Sequence, residues 1–371
     1  MFRLSNPRHR WIYLALVVRL LISDVSAQTY APKYSNEFLS IGVGANAAAL
    51  GNAVTAFSSD ATAAYWNPAG LVGLERRNQV SLMHSEYFAG VAKYDYVGYA
   101  AKIDSTRRLG IAVIRLGVDD IPNTLNIQDG STFNFARITA FSVAELGVII
   151  SYAQPLGKVR GVSIGGNLKI INRTAGPFGT AWGFGLDAAV LMQRGRWRLA
   201  AMLVDATSTF NLWSFNPESF AATFAATGNT IPESSIEVTL PSLRLGMAYT
   251  IRQSTRLGLR VTGDLVMHFD GQRNVLINSG GWSTEPRAGL EGSFRNRAFL
   301  RLGASGGQYL RRIDGTRQFT FNPAAGVGVK LPIGGSLLQI DYALTNTVGV
   351  QLGLYTHLLA LSFSFDRVTI R

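Results

Sequence analysis

Apolar and polar residues alternate one by one along most of this chain, which is the period of a strand with one apolar and one polar face. Leu243, Leu245, Met247, Tyr249 and Ile251 oppose Arg244, Thr250 and Arg252; Leu257, Leu259, Val261, Leu265 and Met267 oppose Arg256, Arg260, Thr262 and Asp264. Such segments number about fourteen, beginning near Gln79, Lys93, Arg107, Ser142, Arg160, Ala181, Arg196, Ser242, Arg256, Thr284, Arg297, Phe321, Gly335 and Tyr355. With 39 Gly, 20 Phe and 13 Tyr beside only 16% charged residues, the composition suits short strands and tight turns better than a helical bundle.

A soluble sandwich alternates too, so connection lengths decide. Those after even-numbered strands are brief, as at Asp104-Ser105-Thr106, Arg194-Gly195 and Gln253-Ser254-Thr255. Those after odd-numbered strands are mostly longer, the longest running from Val118 to Phe141, Asp205 to Pro241, Phe269 to Ser283 and Gly307 to Thr320. Tight turns at one end and loops at the other, with an even strand number, are the pattern of a membrane barrel with periplasmic turns and external loops. The fold expected is all-β: a transmembrane antiparallel β-barrel of about 14 strands with an N-terminal luminal plug segment.

Residues 1–27 read as a signal peptide, with Arg3, Arg8 and Arg10 before an apolar stretch from Trp11 to Ile22 and small residues at Val25-Ser26-Ala27. Residues 28–78 form the expected periplasmic and luminal plug segment, and 79–371 the outer-membrane barrel, with both termini on the periplasmic side. The formal charge is +12; four arginines and one aspartate leave with the signal, so the mature chain keeps about +9. No nucleic-acid motif accompanies this charge, and anionic lipid headgroups are the expected neighbours. There is no Cys, hence no thiol nucleophile, disulfide or Cys-ligated metal.

With the apolar face toward lipid, the lumen receives Glu145, Lys169, Arg173, Asp187, Arg244, Arg252, Arg260, Asp264, Arg287, Glu291, Arg301 and Asp341. A salt-bridge lattice is the favoured use of these charges, an ion-selective pore its rival. The Gly- and Ala-rich stretch from Tyr34 to Leu74 suits a chain folded compactly inside a narrow space. Within it Asp60 is placed to cap a helical turn, and Pro68, in Trp66-Asn67-Pro68-Ala69-Gly70-Leu71, to end or redirect it.

These residues, with Lys33-Tyr34-Ser35-Asn36-Glu37-Phe38-Leu39-Ser40-Ile41-Gly42-Val43-Gly44-Ala45 and the segment Asp119-Asp120-Ile121-Pro122-Asn123-Thr124, resemble the PorV/PorQ outer-membrane proteins of type IX secretion. The resemblance places the chain among FadL-like barrels, which have fourteen strands, a luminal N-terminal segment and an Asn-Pro-Ala element matched by Asn67-Pro68-Ala69. It implies association with a large translocon barrel and capture of secreted cargo by its C-terminal signal domain.

Other chemistry is thin. Gly42-Val43-Gly44-Ala45-Asn46-Ala47 matches a dinucleotide fingerprint only loosely and lacks the flanking strand, helix and acid, so no cofactor is expected. His9, His84, His268 and His357 have no metal-ligand spacing. His84 and Ser85, adjacent in a strand, face opposite sides and cannot act as base and nucleophile. Asp119 and Asp120 supply too few oxygens for calcium, and a solvated turn is the better reading. The segment from Thr209 to Thr227 carries Phe210, Leu212, Trp213, Phe215, Phe220 and Phe224, read as an external loop that contacts a partner or, more simply, covers the barrel mouth. The function expected is a non-enzymatic, PorV-like component of protein export acting through external loops. The alternative is a FadL-like channel for hydrophobic small molecules, and a barrel lipase or protease is the weakest rival.

Overall fold

The computed structural model describes residues 34–366 except 126, 130–131, 158, 220–233, 313 and 347–354. The expected signal peptide, residues 1–27, and the rings of Phe220 and Phe224 lie outside the described residues. Fourteen antiparallel strands close into a barrel. They are β1 (Asn78–Tyr87), β2 (Ala92–Lys102), β3 (Arg108–Asn123), β4 (Thr139–Pro155), β5 (Val162–Ala175), β6 (Gly179–Arg194) and β7 (Trp197–Val204 with Thr209–Phe215). The second half is β8 (Ser234–Thr239 with Ser242–Gln253), β9 (Leu257–His268), β10 (Ser283–Phe294), β11 (Ala298–Arg311), β12 (Arg317–Ile333), β13 (Ser336–Asn346) and β14 (Tyr355–Phe365). Each pairs with its sequence neighbour, and β1 also pairs with β14, from Asn78 opposite Phe365 to Ser85 opposite Leu358, which closes the sheet on itself.

The alternation read in the sequence sets the two faces. Along β6, Trp182, Phe184, Leu186, Val190 and Met192 are exposed on the outside while Ala181, Asp187, Ala189 and Leu191 are buried within. The same outward band recurs as Leu245 and Met247 on β8, Leu300 and Leu302 on β11, and Leu359, Leu361 and Phe363 on β14. A continuous apolar exterior of this kind belongs in hydrocarbon, where a closed sheet satisfies every strand's hydrogen bonds.

The strands at the loop end are longer than expected. The connections expected at Val118–Phe141, Asp205–Pro241 and Gly307–Thr320 shrink to residues 124–138, 216–233 and 312–316, because β3 and β4, β7 and β8, and β11 and β12 keep pairing beyond the apolar band. Past that band no apolar face is needed, so the period-two signal fades although the ladder continues. A bulge between Val118 and Ile121, with Asp120 left-handed at φ 57°, opens the extension of β3. In β7 a turn at Asp205–Ser208 is extruded between the two halves, with Asp205 (φ 53°) and Ser208 (φ 60°) both left-handed. The connection between β5 and β6 is tight, residues 176–178, although it lies at the loop end.

Candidate functional site

Residues 34–74 pack against the inward faces of the strands, and their irregular backbone needs hydrogen-bond partners that a strand ladder does not offer. The wall supplies them. Tyr94 Oη donates to the Phe38 carbonyl at 3.0 Å and Tyr96 Oη to that of Ala61 at 3.0 Å. Thr262 Oγ1 donates to the Ala53 carbonyl at 2.7 Å, Asn167 Nδ2 to that of Ala64 at 3.0 Å, and Ser163 Oγ to that of Ala69 at 3.0 Å. In the other direction Asp264 Oδ2 accepts the Thr55 backbone N–H at 2.9 Å.

The Asn-Pro-Ala element is the anchor of this plug. Helix α1 (Ala45–Ala49) lies against β12 and β13, and α2 (Ala63–Trp66) is followed by a 3-10 turn over Pro68–Gly73. Asp60, expected as a cap, lies two residues before the Thr62 N-cap of α2, which has no side-chain cap bond; its Oδ1 accepts the Thr62 N–H at 2.9 Å in the turn leading into the helix. Pro68 does more than end a helix: it is the first residue of the next turn, where a missing N–H costs nothing, and Asn67 caps that turn by accepting the Ala69 N–H at 3.0 Å. Asn67 is fully buried, and its Nδ2 donates to the carbonyls of Thr55 at 3.0 Å and Val190 at 3.4 Å, tying plug to wall. Trp66 Nε1 donates to the Val43 carbonyl at 2.8 Å.

Wall glycines let the plug approach closely. A Cβ at Gly289 would lie 2.7 Å from the Leu50 carbonyl oxygen, one at Gly165 would lie 2.5 Å from the Ala69 nitrogen, and one at Gly303 would collide with the backbone of Leu50 and Gly51.

The luminal charges form paired clusters. Lys169 contacts Asp187 at 2.7 Å and Asp205 at 2.5 Å; Arg301 contacts Glu291 at 2.8 Å and Asp341 at 2.7 Å; Arg173 contacts Glu145 at 2.6 Å and Glu237 at 2.9 Å; Arg287 contacts Glu285 at 2.9 Å. This is the lattice favoured from the sequence. One expected position differs: Arg252, displaced by a bulge between Thr250 and Arg252, is exposed at the tight-turn end; Arg244 and Asp264 are buried in the lumen as expected but have no ion-pair partner among the described residues.

Above the plug, at the loop end, a vestibule of about 740 Å³ remains. Ile41, Gly42, Ala48, Gly51 and Asn52 make its floor. Tyr87, Phe88, Val91, Leu116 and Val118 line one side with apolar surface, while Arg273, Glu285, Arg287, Gln308 and Asn322 line the other. Arg273 bridges Asp270 and Glu37 at 2.5 and 3.0 Å, linking the connection after β9 to the start of the plug. Burial acts to raise the Asp270 pKa, but the hydrogen bond and charge of Arg273 outweigh it and hold the carboxyl below its usual value.

The aromatic segment is corrected by its geometry. Thr209–Phe215 is strand, not loop: Thr209 and Asn211 are buried, while Phe210 and Leu212 point outward, 50% and 54% exposed. Trp213 turns inward, where Arg173 stacks on its ring at 5.1 Å and its Nε1 donates to Glu237 at 2.9 Å; Phe215 stacks beside it at 5.9 Å. The polar residues Thr209 and Asn211 alternating with Phe210 and Leu212 were themselves a strand signal, masked by the extruded turn just before them. The segment Asp119 to Asn123 is likewise strand extension, with Asp119 held by Lys93 at 3.1 Å and Asn123 Oδ1 accepting the Leu125 N–H at 3.1 Å; Thr124 follows it. Past Val118, β3 pairs only with β4, so Pro122 sits where one edge of the strand is open. His84 points outward to Asp95 at 2.7 Å while Ser85 is buried inside, so the two do face opposite sides. Among the described residues no group of three His, Asp or Glu side chains is placed to hold a metal ion.

Sequence reasoning missed the vestibule, whose lining comes from turns and strand ends far apart in the chain. No protein-family model matches the sequence, and no curated protein matches it. Solved structures do. The toluene transporter TodX of P. putida aligns with a TM-score of 0.53 at 14% identity, over 88% of this chain and 99% of that one. The Ralstonia pickettii toluene transporter TbuX gives 0.52 at 12% identity over 88% and 99%, and the monoaromatic hydrocarbon channel CymD gives 0.52 at 12% over 88% and 98%. At such identities the likeness is one of architecture, and it establishes the fold: this chain is a closed antiparallel β-barrel of fourteen strands, built like those channels.

Proposed function

We propose that this protein sits in an outer membrane and takes up small hydrophobic molecules through its loop-side vestibule. The observation that carries the reading is the apolar arc of Tyr87, Phe88, Val91, Leu116 and Val118 facing a volume of about 740 Å³, a size suited to a small ligand. The paired luminal charges do not oppose it, since they pack beside and around the plug and leave this arc bare. The hydrocarbon channels of the same fold support the substrate class. In this reading the loop end faces outward and both termini face the periplasm. Toluene binding to the purified barrel tests it: wild type should bind saturably and Leu116→Glu about tenfold or more weakly, through a charge set in the apolar arc. Absence of binding, or equal binding by the variant, would count against the proposal.

A second reading, a PorV-like role in type IX secretion with a translocon barrel and cargo as partners, is favoured by the connection between β3 and β4. There Phe133 and Phe135 stand 66% and 69% exposed beyond the strands, beside the Asp119–Thr124 motif that resembles that family. Deleting the gene separates the readings: lost surface cargo with unchanged toluene uptake supports export, and the reverse supports uptake.

A further inference from the structure

A second cavity of about 190 Å³ lies beside the vestibule, lined by the start of the plug, by Tyr65 of α2 and by inward residues of β4 to β10. Four cations line it. Lys169, Arg273 and Arg287 are all paired, and by five carboxylates: Lys169 with Asp187 and Asp205, Arg273 with Asp270 and Glu37, and Arg287 with Glu285. Arg244 differs from them. It is 7% exposed, no carboxylate among the described residues lies within ion-pair distance, and its Nε and Nη1 have no hydrogen-bond partner. Its guanidinium lies 5.3 Å from the Tyr65 ring and 5.7 Å from the Trp66 ring, contacts that steady a cation without satisfying its N–H groups. An unpaired buried guanidinium is costly, and where the protein supplies no acceptor a water or a bound anion must.

We propose that this cavity binds one small oxyanion, a short carboxylate or inorganic phosphate, at Arg244, and that the bound anion tightens the plug. The volume admits such an ion and excludes a long acyl chain. The Ser242 hydroxyl and the second Nδ2 hydrogen of Asn36 line the same space and offer further donors, while Thr239 Oγ1 is taken up between Asn36 and Ser35. Because the guanidinium rests on Tyr65 and Trp66, occupancy acts directly on the helix that precedes the Asn67 anchor. The competing occupant is water: Asp264 Oδ1 also has no partner, and a water between it and Arg244 would satisfy both.

The test uses the full-length barrel in detergent, titrated with 13C-acetate and, in a parallel arm, with inorganic phosphate, at an ionic strength held constant by chloride. Saturable binding in wild type is expected in at least one arm, and the arm that binds identifies the anion. Arg244→Met should weaken it by about tenfold or more, the worth of a charge-assisted hydrogen bond, and Arg244→Lys should weaken it less. No binding to wild type, or equal binding by Arg244→Met, overturns the proposal in favour of water. If Arg244→Met fails to assemble, the otherwise cysteine-free chain offers a second measurement. Ser40 lines both cavities, and Ser40→Cys should react more slowly with a small thiol reagent when the anion is present. An unchanged rate overturns the coupling to the plug. Arg244 does not line the vestibule, so toluene binding by Arg244→Met separates failure here from failure of the uptake reading.

Discussion

At Asn67 one side chain does three things: it caps the turn after it, holds the Thr55 carbonyl within the plug, and reaches the Val190 carbonyl in the wall. Asn67→Ala leaves those buried groups without partners at a cost of about 1–3 kcal/mol, which should appear as easier proteolysis of residues 34–74 while the barrel stays folded. Equal protease resistance would mean that other contacts hold the plug. Asp270 carries a pH dependence. Its pKa is lower in the folded protein, so its contribution is present above the ordinary aspartate value and is lost as pH falls through the folded one. Acidification below about pH 4 should therefore loosen the connection between β9 and β10. Hydrogen exchange of residues 269–282 should rise there in wild type and far less in Asp270→Asn, whose exchange should already be raised at neutral pH.

At the scale of strands, alternation made the barrel legible because each inward or outward choice is local. Trp182, Phe184 and Leu186 announce an outer face whatever lies next to them. Partners were not legible: Lys169 could be placed inside, but its pairing with Asp205 depends on a turn extruded between two halves of β7. The strand extensions, including Thr209–Phe215, were missed because outside hydrocarbon no medium enforces a period. The plug's residues could be placed in the lumen, but not its path, which is fixed by side chains of β1, β2, β5, β7 and β9 meeting its carbonyls and N–H groups. The Lys169 cluster yields a prediction of its own. Lys169→Met alone strands two buried carboxylates and should destabilise the barrel by about 3–5 kcal/mol. The triple change Lys169→Met, Asp187→Asn, Asp205→Asn should recover much of that loss in heat-modifiability midpoints. No recovery would assign the effect to packing.

For the whole molecule, the plug and the charge lattice occupy the lumen below the vestibule except for the cavity at Arg244 and a pocket of about 330 Å³ at the tight-turn end. The intact protein should give little ion conductance in planar bilayers, and deletion of residues 34–74 should raise it several-fold. A conducting wild type would show that the plug does not seal. The wall glycines also bear on biogenesis. Where Gly303 and Gly165 meet the plug, backbone lies on backbone, and Gly289 meets both the carbonyl and the side chain of Leu50, so residues 34–74 threaded into a finished cylinder would have to force a way past these contacts. If the seam between β1 and β14 closes last, it zips around a plug already seated. Residues 75–77, tied to Asp366 through Arg76 at 2.6 Å and the Arg77 N–H at 2.9 Å, bring plug and seam together at that moment. The N-terminal segment would thus be enclosed as the sheet closes and not inserted later, and a peptide of residues 34–74 added to a preassembled, plug-less barrel should fail to restore the seal.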